Sequence, residues 1–474
     1  MYIPKGNFIN GKWLSSDDAQ LTIYNKYDLN QISLLPYASK EQVLLAISSA
    51  QEAYDKYKFS SQEEKQNLLL ALADKLKEQK AFFAALISEE SGKPITYARA
   101  EVERSISTLW NSAVNATMHN GEMIPMDYGL GKGKLAYTKK FPIGPIIAIS
   151  PFNFPLNLAL HKIAPALAVG CSVVIKPSEY TPLSLLAFAK VFEDVGGPKG
   201  LLNIVNCQIT EAELLVRSAT FKMLSFTGSP EVGWHLKNIA GKKKVTLELG
   251  GNAGVYIDAD ADIEEVAKKC AIGSFLYAGQ ICISTQRIYV HESIYDDFIL
   301  ILKKESEKLP VGDPSHEKTI VGPLIDKSHL ERIHKWVRES IDLGAQLISG
   351  AKIKSEVNNL YAPTILTNVP ETAKLNCEEV FGPVVVVEKV TDYKEGVNRI
   401  NNSRYGLQSG IFVNDIHKMN WIVQHLEVGG IIFNNVPAFR LDTMPYGGIK
   451  DSGLGREGIK YAMDEMTESK LVVY

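Results

Sequence analysis

Cysteine is scarce and unpatterned in this chain: five residues in 474 (Cys171, Cys207, Cys270, Cys282 and Cys377), an odd number, with no CxxC pair and no Cys/His spacing suited to a metal. That excludes a disulfide-stapled scaffold and leaves reduced thiols as the expectation, one of them a candidate for reactivity. Long apolar runs are missing too. No stretch approaches the ~20 apolar residues that cross a bilayer, and Met1–Trp13 holds no run of signal-peptide length, so no membrane partner and a cytoplasmic location are expected. Charge of one sign is also absent: 51 basic against 54 acidic side chains leave a net charge of -3, which recommends no nucleic acid. Repeats, low-complexity tracts and a long Gly/Ser/Pro linker are lacking as well.

What is present is an ordinary globular composition, 45% hydrophobic and 22% charged, long enough for two or three domains and suited to a small-molecule role. Apolar β-branched runs alternate with segments of helical period, which predicts an α/β fold with a doubly wound parallel sheet. Strands are expected at Ile143–Ile149, Cys171–Lys176, Leu201–Val205, Val245–Leu249 and Ala253–Ile257, with a helix over Glu264–Phe275. Ser39 and Gln42 have capping-box spacing ahead of one helix, and another is expected from Thr181, with Pro182 in its first turn, to Gly196-Gly197. From Ile288 the pattern restarts, with strands at Ile288–Val290, Val384–Val390 and Ile431–Phe433 and helices near Tyr295–Leu309 and His329–Leu343, which suggests a second α/β unit.

Seven segments can carry chemistry. Ser150–Pro155 (SPFNFP) follows a strand, where the amide of Asn153 could donate to a substrate oxygen or merely cap a turn. Lys176–Pro182 also follows a strand. Its lysine could meet a hydroxyl or phosphate and its Glu179 a ribose diol, unless the loop is only a solvated charged face. Phe226–Gly233 is a strand-to-helix turn where Gly228 and Ser229 could cradle a pyrophosphate. Its glycines are five apart, so it is not a GxGxxG fingerprint. In Glu248–Asn252 an acid precedes two glycines, which fits either a mobile general base or a sharp turn. Cys282, in GQIC, is either inert packing or a nucleophile. Glu378–Pro383 and Met444–Gly453 are turn-rich.

In this order and at these separations, PFNFP, KPSE, FTGS, ELGG, GQIC, EVFGP and PYGGIK resemble the NAD(P)-dependent aldehyde dehydrogenase superfamily, and the resemblance spans essentially the whole chain from Phe8–Trp13 onward. It implies Cys282 as nucleophile, Asn153 with the Cys282 backbone N–H as oxyanion donors, and Glu248 as the base that activates water. It implies Lys176 and Glu179 at the adenosine ribose, Gly228 and Ser229 at the pyrophosphate, Glu379 at the nicotinamide ribose and Phe381 beside the nicotinamide. No metal is implied. A carboxylate at Glu179 would accept hydrogen bonds from a free diol and repel a 2′-phosphate, so NAD is expected, with NADP as the alternative. Cys207 and Ile209 depart from the glycines many members carry along the adenine.

The resemblance further implies a Rossmann-like cofactor domain (1–117 and 141–247), a catalytic domain (248–440) and a small β extension (118–140 and 461–474) that joins subunits into a homodimer or homotetramer. Phe439–Tyr446 is similar to the subgroup acting on small polar aldehydes such as lactaldehyde and glycolaldehyde, although Thr443 stands where many of its members have histidine. Arg287 or Arg440 could meet an acidic substrate or pair with a structural carboxylate. Succinate semialdehyde, aromatic aldehydes, CoA-acylating chemistry and an inactive scaffold are the alternatives. Intact Glu248 favours hydrolysis over acyl transfer to CoA.

Overall fold

The computed structural model describes residues 5–16 and 19–474. Its first sheet contains five parallel strands in the spatial order Leu202–Ile204, Val173–Lys176, Ile146–Ile149, Met223–Thr227 and Lys244–Glu248. By chain order this is 3-2-1-4-5, a doubly wound arrangement. Its switch point lies between Ile146–Ile149 and Met223–Thr227, and a ligand crevice forms outside the carboxyl ends of the strands at such a point. Antiparallel strands Asn7–Ile9 and Lys12–Leu14 close one edge and Gly453–Leu454 the other.

Ile146–Ile149 and the first three residues of Val173–Lys176 read as continuous apolar runs because both faces are covered. Ile146 and Ala148, with Val173 and Ile175, point into one core, while Ile147 and Val174 point into a second on the opposite face. A second sheet of seven strands is arranged the same way, parallel except for Gln346–Ser349, with Val255 and Ile288 in one core and Tyr256 and Tyr289 in another. A third, antiparallel sheet joins Met123–Ile124, Ala136–Pro142 and the terminal strand Thr467–Val473. No helix among the described residues is long and apolar enough to cross a membrane.

Local expectations need three corrections. The strand expected from Ile143 begins at Ile146, because Gly144 has φ +136° and Pro145 brings no N–H to a ladder. The Ser39 side chain caps Gln42 N at 3.4 Å, but the Gln42 amide donates to Ser15 O at 2.8 Å, so the box is not reciprocal. The helix expected from Thr181 spans Leu183–Asp194, and its first N–H groups, on Leu183 and Ser184, donate to the Glu90 carboxylate at 2.7 and 2.8 Å. That cap comes from 93 residues earlier in the chain, beyond the reach of a local pattern.

Candidate active site

Two neighbouring strands end in register, Thr227 beside Glu248, and the site is built on that pair. The Thr227 hydroxyl donates to Glu248 Oε2 at 3.3 Å, and Arg440 Nη1 lies 3.3 Å from Glu248 Oε1. The other face of the guanidinium meets a second acid, Glu457, with Nη2 3.6 Å from Oε2. Lys162 completes the group: its ammonium reaches Glu457 Oε1 at 2.5 Å and Thr227 Oγ1 at 2.7 Å. Lys162, Glu248 and Glu457 are all buried. Burial, reinforced by the negative charge of Glu457, pushes the Glu248 carboxyl up to about 8, with Arg440 opposing. Burial works the same way on Glu457, but the Lys162 ammonium, the hydrogen bond with Glu248 and the charges of His161 and Arg440 together outweigh it and hold that carboxyl well below the usual range. Two acids in contact are thus split into a permanent anion and a base that titrates near neutral pH.

Cys282 follows a strained turn. Tyr277 and Ala278 are left-handed at φ 53° and 54°, and Gly279 at 68° follows, where a Cβ would stand 2.2 Å from Gly382 O. Buried contacts hold this conformation: the Tyr277 hydroxyl donates to Ser91 O at 2.9 Å, and Gln280 donates to Pro323 O at 3.1 Å while accepting from Ile325 N at 2.9 Å. The Cys282 Sγ lies 3.1 Å from the Tyr446 hydroxyl, over whose ring the Arg440 guanidinium stacks at 3.6 Å. Burial pushes the thiol up to about 12, with the charge of Glu248 adding to it.

Asn153, after the strand Ile146–Ile149, donates its side-chain N–H to Gln280 O at 2.9 Å. A carbonyl only accepts, so the amide orientation is fixed and its second N–H remains available. Gly250 and Gly251, which allowed either a mobile hinge or a turn, are both explained by close approach, since neither has positive φ. A Cβ at Gly250 would stand 2.3 Å from Glu379 Oε2, and one at Gly251 2.4 Å from Cys282 O. The backbone of Gly251 also donates to Glu379 Oε1 at 3.0 Å, while burial pushes that carboxyl up to about 7.

One cleft of about 670 Å³ is lined by all nine residues singled out from the sequence: Asn153, Glu248 and Cys282, together with Lys176, Glu179, Gly228, Ser229, Glu379 and Phe381. Lys176 Nζ is 3.8 Å from Glu179 Oε1. Ser229 precedes the helix Pro230–Ile239, and its side chain makes no capping hydrogen bond. The Phe381 ring meets Phe152 edge-on at 5.7 Å. A dinucleotide fits these residues: a helix start without a side-chain cap suits a pyrophosphate, and carboxylates at two separate points suit two ribose diols.

Of the two arginines considered for an acidic substrate, Arg287 is structural, its donors taken by the carbonyls of Asn252, Arg399 and Ile400 and by the Tyr289 hydroxyl. Arg440 Nε and Nη2 are buried without a hydrogen bond. Asp442, from the same segment, holds Arg104 at 2.7 Å and His161 at 2.7 Å. The Gly453–Leu454 strand braces Glu248 from behind, and among the Met444–Gly453 residues Tyr446 reaches the thiol. Sequence reasoning missed Lys162 and Glu457. The available signal was His161-Lys162, two polar residues within the otherwise apolar run Leu158–Val169.

Two wound sheets thus gather a thiol, a perturbed carboxyl and an amide in one cleft at strand ends. The chain belongs to the aldehyde dehydrogenase family, whose model matches residues 13–472. It is 42% identical over 470 residues to the 3-sulfolactaldehyde dehydrogenase of Priestia aryabhattai, covering 99% of this chain and 97% of that one. Against the lactaldehyde dehydrogenase of Methanococcus aeolicus it is 40% identical, covering 98% and 99%. The crystal structure of aldehyde dehydrogenase 21 from Physcomitrella patens, in complex with the reaction product succinate, superposes with a TM-score of 0.96 at 40% identity, over 99% of this chain and 98% of that one. The protein is an NAD(P)-dependent aldehyde dehydrogenase.

Proposed function

We propose that the cleft oxidises a small polar aldehyde to its carboxylic acid through a covalent intermediate on Cys282. The gathering of Cys282, Glu248 and Asn153 in the one cleft carries this reading. The thiol, pushed up to about 12 chiefly by burial and then by the charge of Glu248, passes its proton to solvent as its sulfur bonds to the aldehyde carbon. The oxyanion that forms is met by the second N–H of Asn153 and by the Cys282 backbone N–H; one such donor is typically worth about 10²–10³ in rate. A bound nicotinamide dinucleotide supplies the acceptor for the hydride. Glu248 then takes a proton from water, which cleaves the Cys282 thioester, releasing the acid and restoring the thiol. A base titrating at about 8 suits that task near neutral pH.

Lys176 and Glu179 would hold the adenosine ribose, Gly228 and Ser229 the pyrophosphate, Glu379 the nicotinamide ribose, and Phe381 would pack beside the nicotinamide. The carboxylate of Glu179 favours NAD over NADP. The substrate is a short aldehyde with a hydroxyl or anionic end, lactaldehyde-like or succinate-semialdehyde-like. The 3-sulfolactaldehyde dehydrogenase of Priestia aryabhattai and the lactaldehyde dehydrogenase of Methanococcus aeolicus, 42% and 40% identical to this chain, support this. The first sheet forms the cofactor domain (1–117 and 141–247), the second the catalytic domain (248–440), and residues 118–140 with the terminal strand the extension. That strand is an edge, with Leu471, Val473 and Tyr474 exposed, which supports a homodimer or homotetramer. Five free cysteines support a cytoplasmic setting.

The test is reduced-cofactor absorbance with lactaldehyde, glycolaldehyde, sulfolactaldehyde, succinate semialdehyde and benzaldehyde, each with NAD and with NADP. Turnover of the short polar aldehydes that vanishes in Cys282→Ser supports the reading; turnover confined to benzaldehyde, or persisting in that variant, overturns it.

A further inference from the structure

Tyr446 touches the reacting sulfur and has no part in the chemistry described so far. Its backbone is pinned to Glu457 by a pair of hydrogen bonds: Tyr446 N donates to Glu457 O at 2.9 Å, and Glu457 N donates to Tyr446 O at 2.6 Å. Its ring packs with Ile283 and Leu407, and the Arg440 guanidinium stacks on it at 3.6 Å. The residue is 3% exposed, whereas Cys282 lines the cleft. The hydroxyl therefore approaches the sulfur from the protein side and leaves the cleft side to an aldehyde.

A buried phenol needs a partner for its O–H, and among the described residues the Cys282 sulfur, 3.1 Å away, is the one that this hydroxyl has. While the sulfur carries its proton, either atom can donate. Once that proton has gone the sulfur only accepts, so Tyr446 must donate to it. The phenol keeps its own proton, because burial, followed by the charges of Cys282 and Glu248, pushes it well above its ordinary value. Of the other charged groups that bear on the sulfur, Glu248 and Glu379 oppose a thiolate and Arg440 favours one. We propose that Tyr446 is a further catalytic residue, whose hydroxyl donates to the Cys282 sulfur whenever that sulfur is an anion. Negative charge builds on the sulfur twice in a turnover. It does so first as the thiol proton passes to solvent and the S–C bond to the aldehyde forms, and again as water cleaves the thioester and the C–S electron pair returns to sulfur. Tyr446 transfers no proton in either step. The inference rests on the reading of Cys282 as the nucleophile.

The experiment compares wild type with Tyr446→Phe, which keeps the ring beneath Arg440 and removes only the hydroxyl; the thermal midpoint checks its folding. Two rates are read. One is alkylation of Cys282 by iodoacetamide in the ligand-free protein from neutral to alkaline pH, with the exposed Cys377 as internal reference. The other is the pre-steady-state burst of reduced cofactor with NAD and lactaldehyde. The thiolate fraction should fall about tenfold, the scale of one hydrogen bond to a charged group, and the greater nucleophilicity of the remaining thiolate offsets part of that. Cys282 alkylation should therefore slow about threefold at each pH, with Cys377 unchanged, and the burst should slow at least as much while NAD affinity stays the same. A tyrosine that only packs would leave both rates where they are, since its ring remains. Alkylation of Cys282 or a burst at the wild-type rate or faster in Tyr446→Phe, with turnover still lost in Cys282→Ser, overturns the role of Tyr446 alone. Turnover that survives Cys282→Ser overturns the reading of the nucleophile and this inference with it.

Discussion

Glu248 and Glu457 share one guanidinium, Arg440 lying 3.3 Å from the first and 3.6 Å from the second, yet their carboxyls are pushed in opposite directions. The difference is Lys162, which pairs with Glu457 at 2.5 Å and leaves Glu248 to be governed by burial. Glu248 is therefore largely protonated below about 8 and becomes a base above it. Thioester hydrolysis, measured by pre-steady-state kinetics, should rise with pH and level off above that point.

Glu457→Gln removes the negative charge that adds to the effect of burial on Glu248, so the inflection should move to lower pH. The same change strands the buried Lys162 ammonium on hydroxyl partners, at a cost to stability of roughly 3 kcal/mol. A pH profile and a thermal scan of the variant read the two effects separately.

The Cys282 thiol, pushed up to about 12 chiefly by burial and then by Glu248, should alkylate slowly with iodoacetamide in the ligand-free protein. In Glu248→Gln the thiol should react faster than in wild type only above about pH 8, where wild-type Glu248 carries its charge. A gain of the same size at pH 6 and pH 9 would show that the charge is not the cause.

Gly251→Ala places a Cβ where the Cys282 carbonyl stands, 2.4 Å away. The Cys282 backbone must shift, and on the proposed role of its thiol a displacement approaching 1 Å costs on the order of 10²-fold in turnover. Turnover should fall steeply with little change in dinucleotide affinity, read by comparing kcat with a direct binding titration.

The two arginines should separate by pH profile. Arg287→Gln abandons buried backbone carbonyls and should lower the thermal midpoint, leaving the Glu248 inflection unchanged. Arg440→Gln should lower the midpoint too and, because its guanidinium opposes the upward push on Glu248, should move that inflection to higher pH.

The element that places Asn153 was legible because it follows the apolar run Ile146–Ile149 that both faces of a sheet require, while the strands before Gly228 and at Glu248 mix polar with apolar residues. Cys282 was legible through its small-residue motif, but not the left-handed turn before it, which depends on the distant Ser91, Pro323 and Gly382. Gly250 and Gly251 could be flagged and not explained, since the atoms they make room for come from Glu379 and Cys282. The Lys162–Glu457 pair joins residues 295 positions apart. Nothing in local spacing encodes that meeting; only a charge within an apolar helix hints that a buried partner must exist.

The most direct measurement is mass spectrometry of Glu248→Gln quenched after mixing with NAD and lactaldehyde. With the proposed water-activating base removed, an acyl adduct should accumulate on the peptide containing Cys282, carried as a thioester and released by hydroxylamine. No adduct, or an adduct on Cys377 or another cysteine, would contradict the account.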